Sequence, residues 1–284
     1  MELLTPVEID RVVELALAED IGPGDVTTLA TISADAQASA KMVAREPLVL
    51  AGLALAEAAF QQLAGSVKTV DKAADGQHLG AGATLVCVSG PARALLSAER
   101  VALNFVQRLS GVATLTSQFV QAIKGTRAQI LDTRKTTPGW RRLEKYAVTC
   151  GGGHNHRLGL YDMVLIKDNH LAALSRATPN PIAAAVERAR AQHPDLKIEV
   201  EADTLEQVDQ ALAAGADLVI LDNMNPIQLR LAVQKCKARA QTEASGGITL
   251  ASVRAVAEAG VDFISVGALT HSARAVDIGL DFEL

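Results

Sequence analysis

Aromatic side chains are scarce in this chain, with one Trp, two Tyr and five Phe among 284 residues. Alanine fills much of the apolar share instead, and alanine-rich helices suit the close helix-on-sheet packing of α/β folds. Cysteine is equally sparse. Cys87, Cys150 and Cys236 are odd in number, far apart and form no CxxC pair, which argues against a disulfide framework or a zinc site and makes a reducing cytoplasm the expected compartment. Positive charge is not in excess either. A net charge of -5 gives no global field to attract nucleic acid or an anionic membrane, so neither is an expected partner. Any anionic ligand must be met by a local cluster of cations. The longest apolar run, Leu48 to Ala56, is far short of the about 20 residues that span a bilayer. The start, MELLTPVEID, has no basic flank before an apolar stretch, so no signal peptide is expected.

Several chemical signatures are also missing. No GxSxG serine or activated cysteine accompanies His154, His156 or His170, the HxH at 154–156 lacks further zinc ligands, and no GxGxxG occurs. His78, His193 and His271 are assigned no role.

What is present is an ordinary globular composition, 49% hydrophobic and 21% charged, in a chain long enough for two domains or for a barrel with an added piece. Thr5, Pro6 and Glu8 spell an N-cap, a first helical proline and a capping box, followed by an apolar face at Ile9, Val12, Val13 and Leu17. Beyond the loop at Gly22-Pro23-Gly24-Asp25, extended stretches at Ala38–Arg45, Val67–Ala73 and Thr84–Ser89 flank a helix at Leu53–Leu63, which reads as an open sheet with helices. Pro91 to Gly125 is helical, with a break expected near Gly111.

After Gly125 short apolar strands alternate with amphipathic helices. The strands are Gln129–Asp132, Met163–Asp168, Ile198–Asp203, Leu218–Asp222, Thr242–Ser245 and Phe263–Val266. The helices include Pro181–Gln192, Leu205–Ala214 between Thr204 and Gly215, and Leu250–Ala259 between Thr249 and Gly260. Such alternation predicts parallel βαβ units and a barrel of the TIM kind, incomplete at six strands. In that architecture the reacting groups belong at the C-terminal strand ends. The polar residues obey this: Asp132-Thr133-Arg134-Lys135, Lys167-Asp168-Asn169, Glu199 and Glu201, Asp222-Asn223, Ser245-Gly246-Gly247 and Gly267 all fall there.

Three groups carry chemistry. Arg134, Lys135, His156, Arg157 and Lys167 direct positive charge at one barrel mouth, with Arg141 and Arg142 on the following helix, and that suits a ligand bearing several anionic groups. Arg141 and Arg142 read more readily as solvated surface cations. Glu199 and Glu201 share a strand face, with Asp222 ending the next strand. Carboxylates there can pair with Lys135 or Lys167, hydrogen-bond a sugar hydroxyl, or help bind magnesium, which takes one or two carboxylates plus waters and phosphates. The turns Ser245-Gly246-Gly247-Ile248 and Val266-Gly267-Ala268 let backbone N–H groups approach a phosphate. Gly151-Gly152-Gly153 is either a third such loop or a connector.

The ordered runs LDTRKTTPG at 131–139, GGGHNHR at 151–157, LIKDNH at 165–170, EVE at 199–201, LDN at 221–223, EASGGI at 243–248 and VGALTH at 266–271 resemble quinolinate phosphoribosyltransferase, as do Glu99-Arg100, Leu103-Asn104 and Leu109-Ser110-Gly111. The similarity covers nearly the whole chain. The resemblance implies an N-terminal α/β sandwich domain (1–112), an incomplete α/β barrel (113–270) and a tail (271–284) that returns to the first domain. It implies phosphoribosyl transfer from phosphoribosyl pyrophosphate to quinolinate with decarboxylation, a step of NAD biosynthesis, and a homodimer, or a higher oligomer, in which Arg100 crosses to the neighbouring active site. Arg134, His156, Arg157 and Lys167, with that Arg100, would hold the quinolinate carboxylates. Lys135, Lys167, Glu201 and Asp222, the catalytic candidates, would serve the pyrophosphate, Mg2+ and ribose hydroxyls, Glu201 and Asp222 being the metal candidates, and Thr133 would be a further substrate-binding residue. Ser245, Gly246, Gly247, Val266, Gly267 and Ala268 would hold the 5′-phosphate. A phosphoribosyltransferase for another small acid, an aldolase using Lys135 or Lys167 as a Schiff base, and a non-catalytic phosphosugar binder are the alternatives.

Overall fold

The computed structural model describes residues 3–283; the acidic second position and the last residue lie outside it. Helix α1 (Pro6–Ile21) begins as its sequence demands, the Thr5 side chain accepting from the Glu8 N–H while the Glu8 carboxylate accepts from the Thr5 N–H at 2.8 Å. Val13 and Leu17 form its buried stripe. Asp25 caps a short α2 (Val26–Thr31) that the preceding glycines do not announce. Then come β1 (Gln37–Ala44), β2 (Leu48–Val49), α3 (Leu53–Leu63), β3 (Lys68–Val70), β4 (His78–Leu79), β5 (Thr84–Pro91) and α4 (Ala92–Ala122). The alternating part runs β6 (Gln129–Leu131), α5 (Arg141–Cys150), β7 (Val164–Ile166), α6 (Asp168–Ala173), α7 (Pro181–Gln192), β8 (Ile198–Ala202) and α8 (Leu205–Ala214). It continues through β9 (Leu218–Asp222), α9 (Pro226–Cys236), β10 (Gln241–Ser245), α10 (Val253–Glu258), β11 (Phe263–Ser265), α11 (Ala268–His271) and β12 (Ile278–Glu283).

The chain divides into two compact units. One takes in the chain up to Ser117, Thr137–Gly152 and the stretch from Leu269 onward; the other takes in Gln118–Thr136 and Gly153–Ala268. In the first unit an antiparallel sheet has the order β12-β1-β5-β3, and β2 pairs with β4 in a small ribbon. Along β1, Ala40, Met42 and Ala44 are buried while Lys41 is not, the period-two pattern of a strand with one face on a core. Phe60, Leu55, Leu95, Phe105 and Leu109 fill that core, and Trp140 stacks on Phe105 at 5.1 Å between ring centroids.

The break expected near Gly111 is absent, and α4 runs through it without interruption. The glycine serves another end: a Cβ there would lie 1.9 Å from the Arg274 carbonyl oxygen, so only hydrogen lets the returning chain pack this closely.

The second unit is a parallel sheet in the order β6-β11-β10-β9-β8-β7. Its strands carry apolar runs such as Leu218–Leu221, buried throughout, as parallel strands covered on both faces require. Among the described residues β6 and β7 have no hydrogen-bonded partner in each other, so the barrel stays open; Leu131 instead bridges His154. The protein is thus mixed α/β with an incomplete barrel. Helix α8 follows its predicted caps, with Thr204 accepting from Gln207 and Gly215 at φ +80°. Helix α10 is shorter than expected, since Thr249 and Ser252 bond to one another in a turn and the helix begins only at Val253. Among the described residues no helix is long and apolar enough to cross a membrane.

Candidate active site

Parallel strands bring their C-terminal ends to one side of the sheet, and the predicted polar residues arrive there together. Thr133, Arg134 and Lys135 follow β6, Lys167 follows β7, and Ser245 ends β10. With His156 and Arg157 these residues line one cavity of about 310 Å³, closed by Leu165, Ile220, Glu243 and Ser265. Lys167 forms an ion pair with Glu201 on β8, which ties that carboxylate to the cavity wall. Asp222 lies opposite Ser245 in the β9–β10 register, and its carboxylate accepts from the Asn223 amide at 2.6 Å.

The glycine turn after β10 is built for close approach. Gly246 has φ +97°, and a Cβ on it would lie 2.2 Å from Asn223 Oδ1. Asn223, itself at φ +54°, donates its N–H to the Ser245 carbonyl at 3.0 Å. Val266 donates its N–H to Leu131 O, and Gly267 and Ala268 follow at the same strand end; none of the three lines the cavity. Arg100 is exposed on α4 in the first unit and is likewise not a lining residue. Arg142 bonds Glu8 at 2.8 Å within the first unit and does not line the cavity, so it is an ion-paired residue there rather than a fully solvated cation. Gly151 is buried in that unit rather than looped around an open ligand site.

Beneath the cavity lies a carboxylate-rich layer. Asp132 is fully buried and accepts the His156 N–H at 2.9 Å. His156 Nε2 is 3.0 Å from Glu199 Oε2 and 3.4 Å from Glu243 Oε2, and the three donor atoms all lie within 4.8 Å of one another. Burial by itself pushes the pKa of His156 down, while Glu199 and Glu243, through hydrogen bonding and charge, push it up. The Arg157 main-chain N–H donates to Nδ1 at 2.7 Å, which opposes a hydrogen on that nitrogen. Burial, and next the charge of Glu243, push the Glu199 carboxyl above its ordinary range. Burial, then the neighbouring Arg134, pull the Arg157 guanidinium down. The loop after Arg157 is pinned by Asp162, which accepts from the N–H groups of Leu158 and Gly159 at 2.6 and 2.9 Å.

The chain matches the family model for the C-terminal domain of quinolinate phosphoribosyl transferase over residues 112–281 and that for the N-terminal domain over 25–110. It belongs to the quinolinate phosphoribosyltransferase family. Among relatives of this family, the nicotinate-nucleotide pyrophosphorylase (carboxylating) of Mycobacterium leprae is 45% identical over 98% of this chain and 100% of its own. A probable enzyme of the same name from Bacillus subtilis is 44% identical, over 98% of this chain and 94% of its own. The structure of the nicotinate-nucleotide pyrophosphorylase from Francisella tularensis superposes with a TM-score of 0.92 at 39% identity, covering 99% of this chain and 98% of that one.

Sequence reasoning alone does not single out Glu243, Ser265, Leu165 or Ile220 as wall residues of this cavity. Period-two alternation on β10 and β11 was the available signal, since Glu243 shares a face with Ser245 and Phe263 with Ser265.

Proposed function

We propose that the chain transfers the phosphoribosyl group of phosphoribosyl pyrophosphate to quinolinate, releasing pyrophosphate and CO2 and forming nicotinate mononucleotide for NAD biosynthesis. The observation that carries this reading is the cavity wall itself, where two arginines and two lysines converge at the mouth of a parallel barrel in a protein of net charge -5. The planar forks of Arg134 and Arg157, with His156 between them in the wall, suit the two carboxylates of the acceptor. Lys135 and Lys167 face the leaving pyrophosphate. The Ser245-Gly246-Gly247 and Val266-Gly267-Ala268 turns take the 5′-phosphate through main-chain N–H groups other than that of Val266, which is given to Leu131, and Thr133 adds a hydroxyl to the substrate site.

In the transfer the pyridine nitrogen forms a bond to the ribose anomeric carbon as the bond to pyrophosphate breaks and its electron pair leaves with the pyrophosphate. Positive charge builds on the sugar, which Glu201 and Asp222 stabilise while orienting the ribose hydroxyls. The alkylated ring nitrogen then holds the electron pair left on C2 when CO2 departs, and C2 takes a proton. No protein nucleophile and no organic cofactor enter this scheme.

Glu201 and Asp222, half-open at adjacent strand ends, fit Mg2+, which takes one or two carboxylates and completes its shell with water and phosphate. Bound there, the ion would neutralise charge developing on the pyrophosphate. We further propose a homodimer, or a higher oligomer of it, in which Arg100 reaches the neighbouring copy's cavity; its exposure on α4 supports this. Mixing Arg100→Ala with Lys135→Ala variants should then restore activity that neither has alone. The three free thiols, two of them buried, support a reducing compartment such as the cytoplasm.

Quinolinate labelled in the 2-carboxylate tests the reaction. Label should leave as CO2 only when phosphoribosyl pyrophosphate and magnesium are both present, and label in the 3-carboxylate should stay in the nucleotide. Retention of the 2-carboxylate in the product would refute the assignment.

A further inference from the structure

His156 enters the cavity wall with both ring nitrogens engaged by the protein. Nδ1 accepts the Arg157 main-chain N–H at 2.7 Å, and Nε2 faces Glu199 Oε2 at 3.0 Å and Glu243 Oε2 at 3.4 Å. A ring nitrogen that accepts a hydrogen bond carries no hydrogen, so the ring hydrogen sits on Nε2 and points at the two carboxylates. The histidine side chain is 9% exposed, and those of Glu199 and Glu243 are 0% and 2% exposed.

Stability does not explain this layer. Carboxylates removed from water destabilise a fold unless partners answer them, and replacing buried ionic groups by apolar ones is often stabilising. Among the described residues Glu199 Oε1 and Glu243 Oε2 find no hydrogen-bond partner, while Ile198, Val200 and Ala202 show how the other face of β8 is filled. His156 is the group that both carboxylates approach. From His156 the contact continues to the backbone of Arg157, whose guanidinium is held a second time where Nη1 donates to the Met163 carbonyl at 3.2 Å.

We infer that Glu199, which accepts the His156 Nε2–H, and Glu243, whose carboxylate lies beside that nitrogen at 3.4 Å, are positioning residues that hold the ring so that its Nδ1 fixes the main chain of Arg157 in the cavity wall. The inference rests on the reading above in which Arg157 grips the acidic acceptor. It gives His156 a different task from direct contact through a ring nitrogen: the imidazole is the link between a buried carboxylate pair and an arginine. A carboxylate holding an imidazole in one tautomer is a recurrent device where geometry must be kept through a reaction.

The test uses substitutions that keep size. In Glu199→Gln the amide offers N–H as readily as oxygen, so it can turn the ring hydrogen onto Nδ1 and break the Arg157 contact. The KM for quinolinate should rise about tenfold or more, as for other residues that orient a ligating histidine, while the KM for phosphoribosyl pyrophosphate changes by less than about twofold. Glu243→Gln, at the longer contact, should show the same split more weakly. Unchanged quinolinate KM in both variants, or a parallel rise for both substrates, overturns the inference. Arg157→Met separates the two readings: if it leaves quinolinate saturation untouched, the site assignment itself fails; if it raises KM while Glu199→Gln is silent, only the positioning role fails.

Should the variants not fold, nitrogen NMR of the unsubstituted enzyme decides. With the His156 signal assigned by its loss in His156→Gln, the spectrum should show hydrogen on Nε2 and none on Nδ1. Hydrogen on Nδ1, alone or together with Nε2, contradicts it. So does a stoichiometric metal ion found by elemental analysis and lost in Glu199→Gln, because a metal held by these three donors would displace the Nε2 hydrogen.

Discussion

Lys167, just past the end of β7, forms an ion pair with Glu201 on the adjacent β8, the lysine side chain 43% and the glutamate 14% exposed. A pair this open contributes at most about 1 kcal/mol to stability, so stability alone is a weak reason for its place in the cavity wall. Glu201→Gln should therefore lower turnover by about 100-fold or more, on the scale of losing one oriented electrostatic group, while the unfolding midpoint shifts by no more than about 2–4 °C. Steady-state kinetics beside a thermal melt checks both. A collapsed melt with the remaining folded enzyme fully active would reduce the pair to a structural bridge.

Arg134→Lys keeps the charge and removes the fork. The quinolinate KM should rise about 10- to 100-fold, the range for losing a hydrogen bond between charged groups, and saturation curves would read it. Unchanged saturation would remove Arg134 from acceptor binding.

Gly111→Ala forces a methyl group into a space where its carbon would meet the Arg274 carbonyl at 1.9 Å. We expect a loss of about 1–3 kcal/mol or more in urea unfolding, as for overpacking elsewhere. Gly80→Ala is the control: no atom lies within 4 Å of the added carbon, so its effect should stay within about 0.5 kcal/mol. Equal effects at both sites would show that α4 does not need the close approach.

Glu8 closes the α1 capping box and accepts from Arg142 at 2.8 Å, and the Arg142 hydrogen bond is the first cause that lowers its pKa to about 2. A folded-state value below the unfolded one means stabilisation present above about pH 4.5 and lost as pH falls toward 2. Glu8→Gln keeps the capping box but loses the charge paired with Arg142, so it should be less stable than the unsubstituted protein at pH 7 by at most about 1 kcal/mol, with the gap closing toward pH 2. Urea titrations at several pH values would show it; a gap independent of pH would mean that charge plays no part.

Local rules carried far in this chain. Thr5, Pro6 and Glu8 suffice to place the start of α1, Thr204 and Gly215 bracket α8, and the apolar run at 218–222 marks β9 to the residue, because caps and strand periodicity are decided by near neighbours. Gly111 misled for the complementary reason, since its helix-breaking tendency is weak and a carbonyl more than 160 residues away sets its role. The same limit applies within the site. Arg134, Lys135 and Lys167 announce themselves beside apolar strands, and the period of two puts Glu199 and Glu201 on one face. That Glu199 turns to a buried histidine while Glu201 meets a lysine depends on neighbouring strands and is invisible along the chain.

The central claim is a transfer coupled to decarboxylation. Purified protein given quinolinate, phosphoribosyl pyrophosphate and magnesium should release pyrophosphate and CO2 in equal amounts, with neither released when nicotinate replaces quinolinate; pyrophosphate without CO2, or equal turnover of nicotinate, would contradict it.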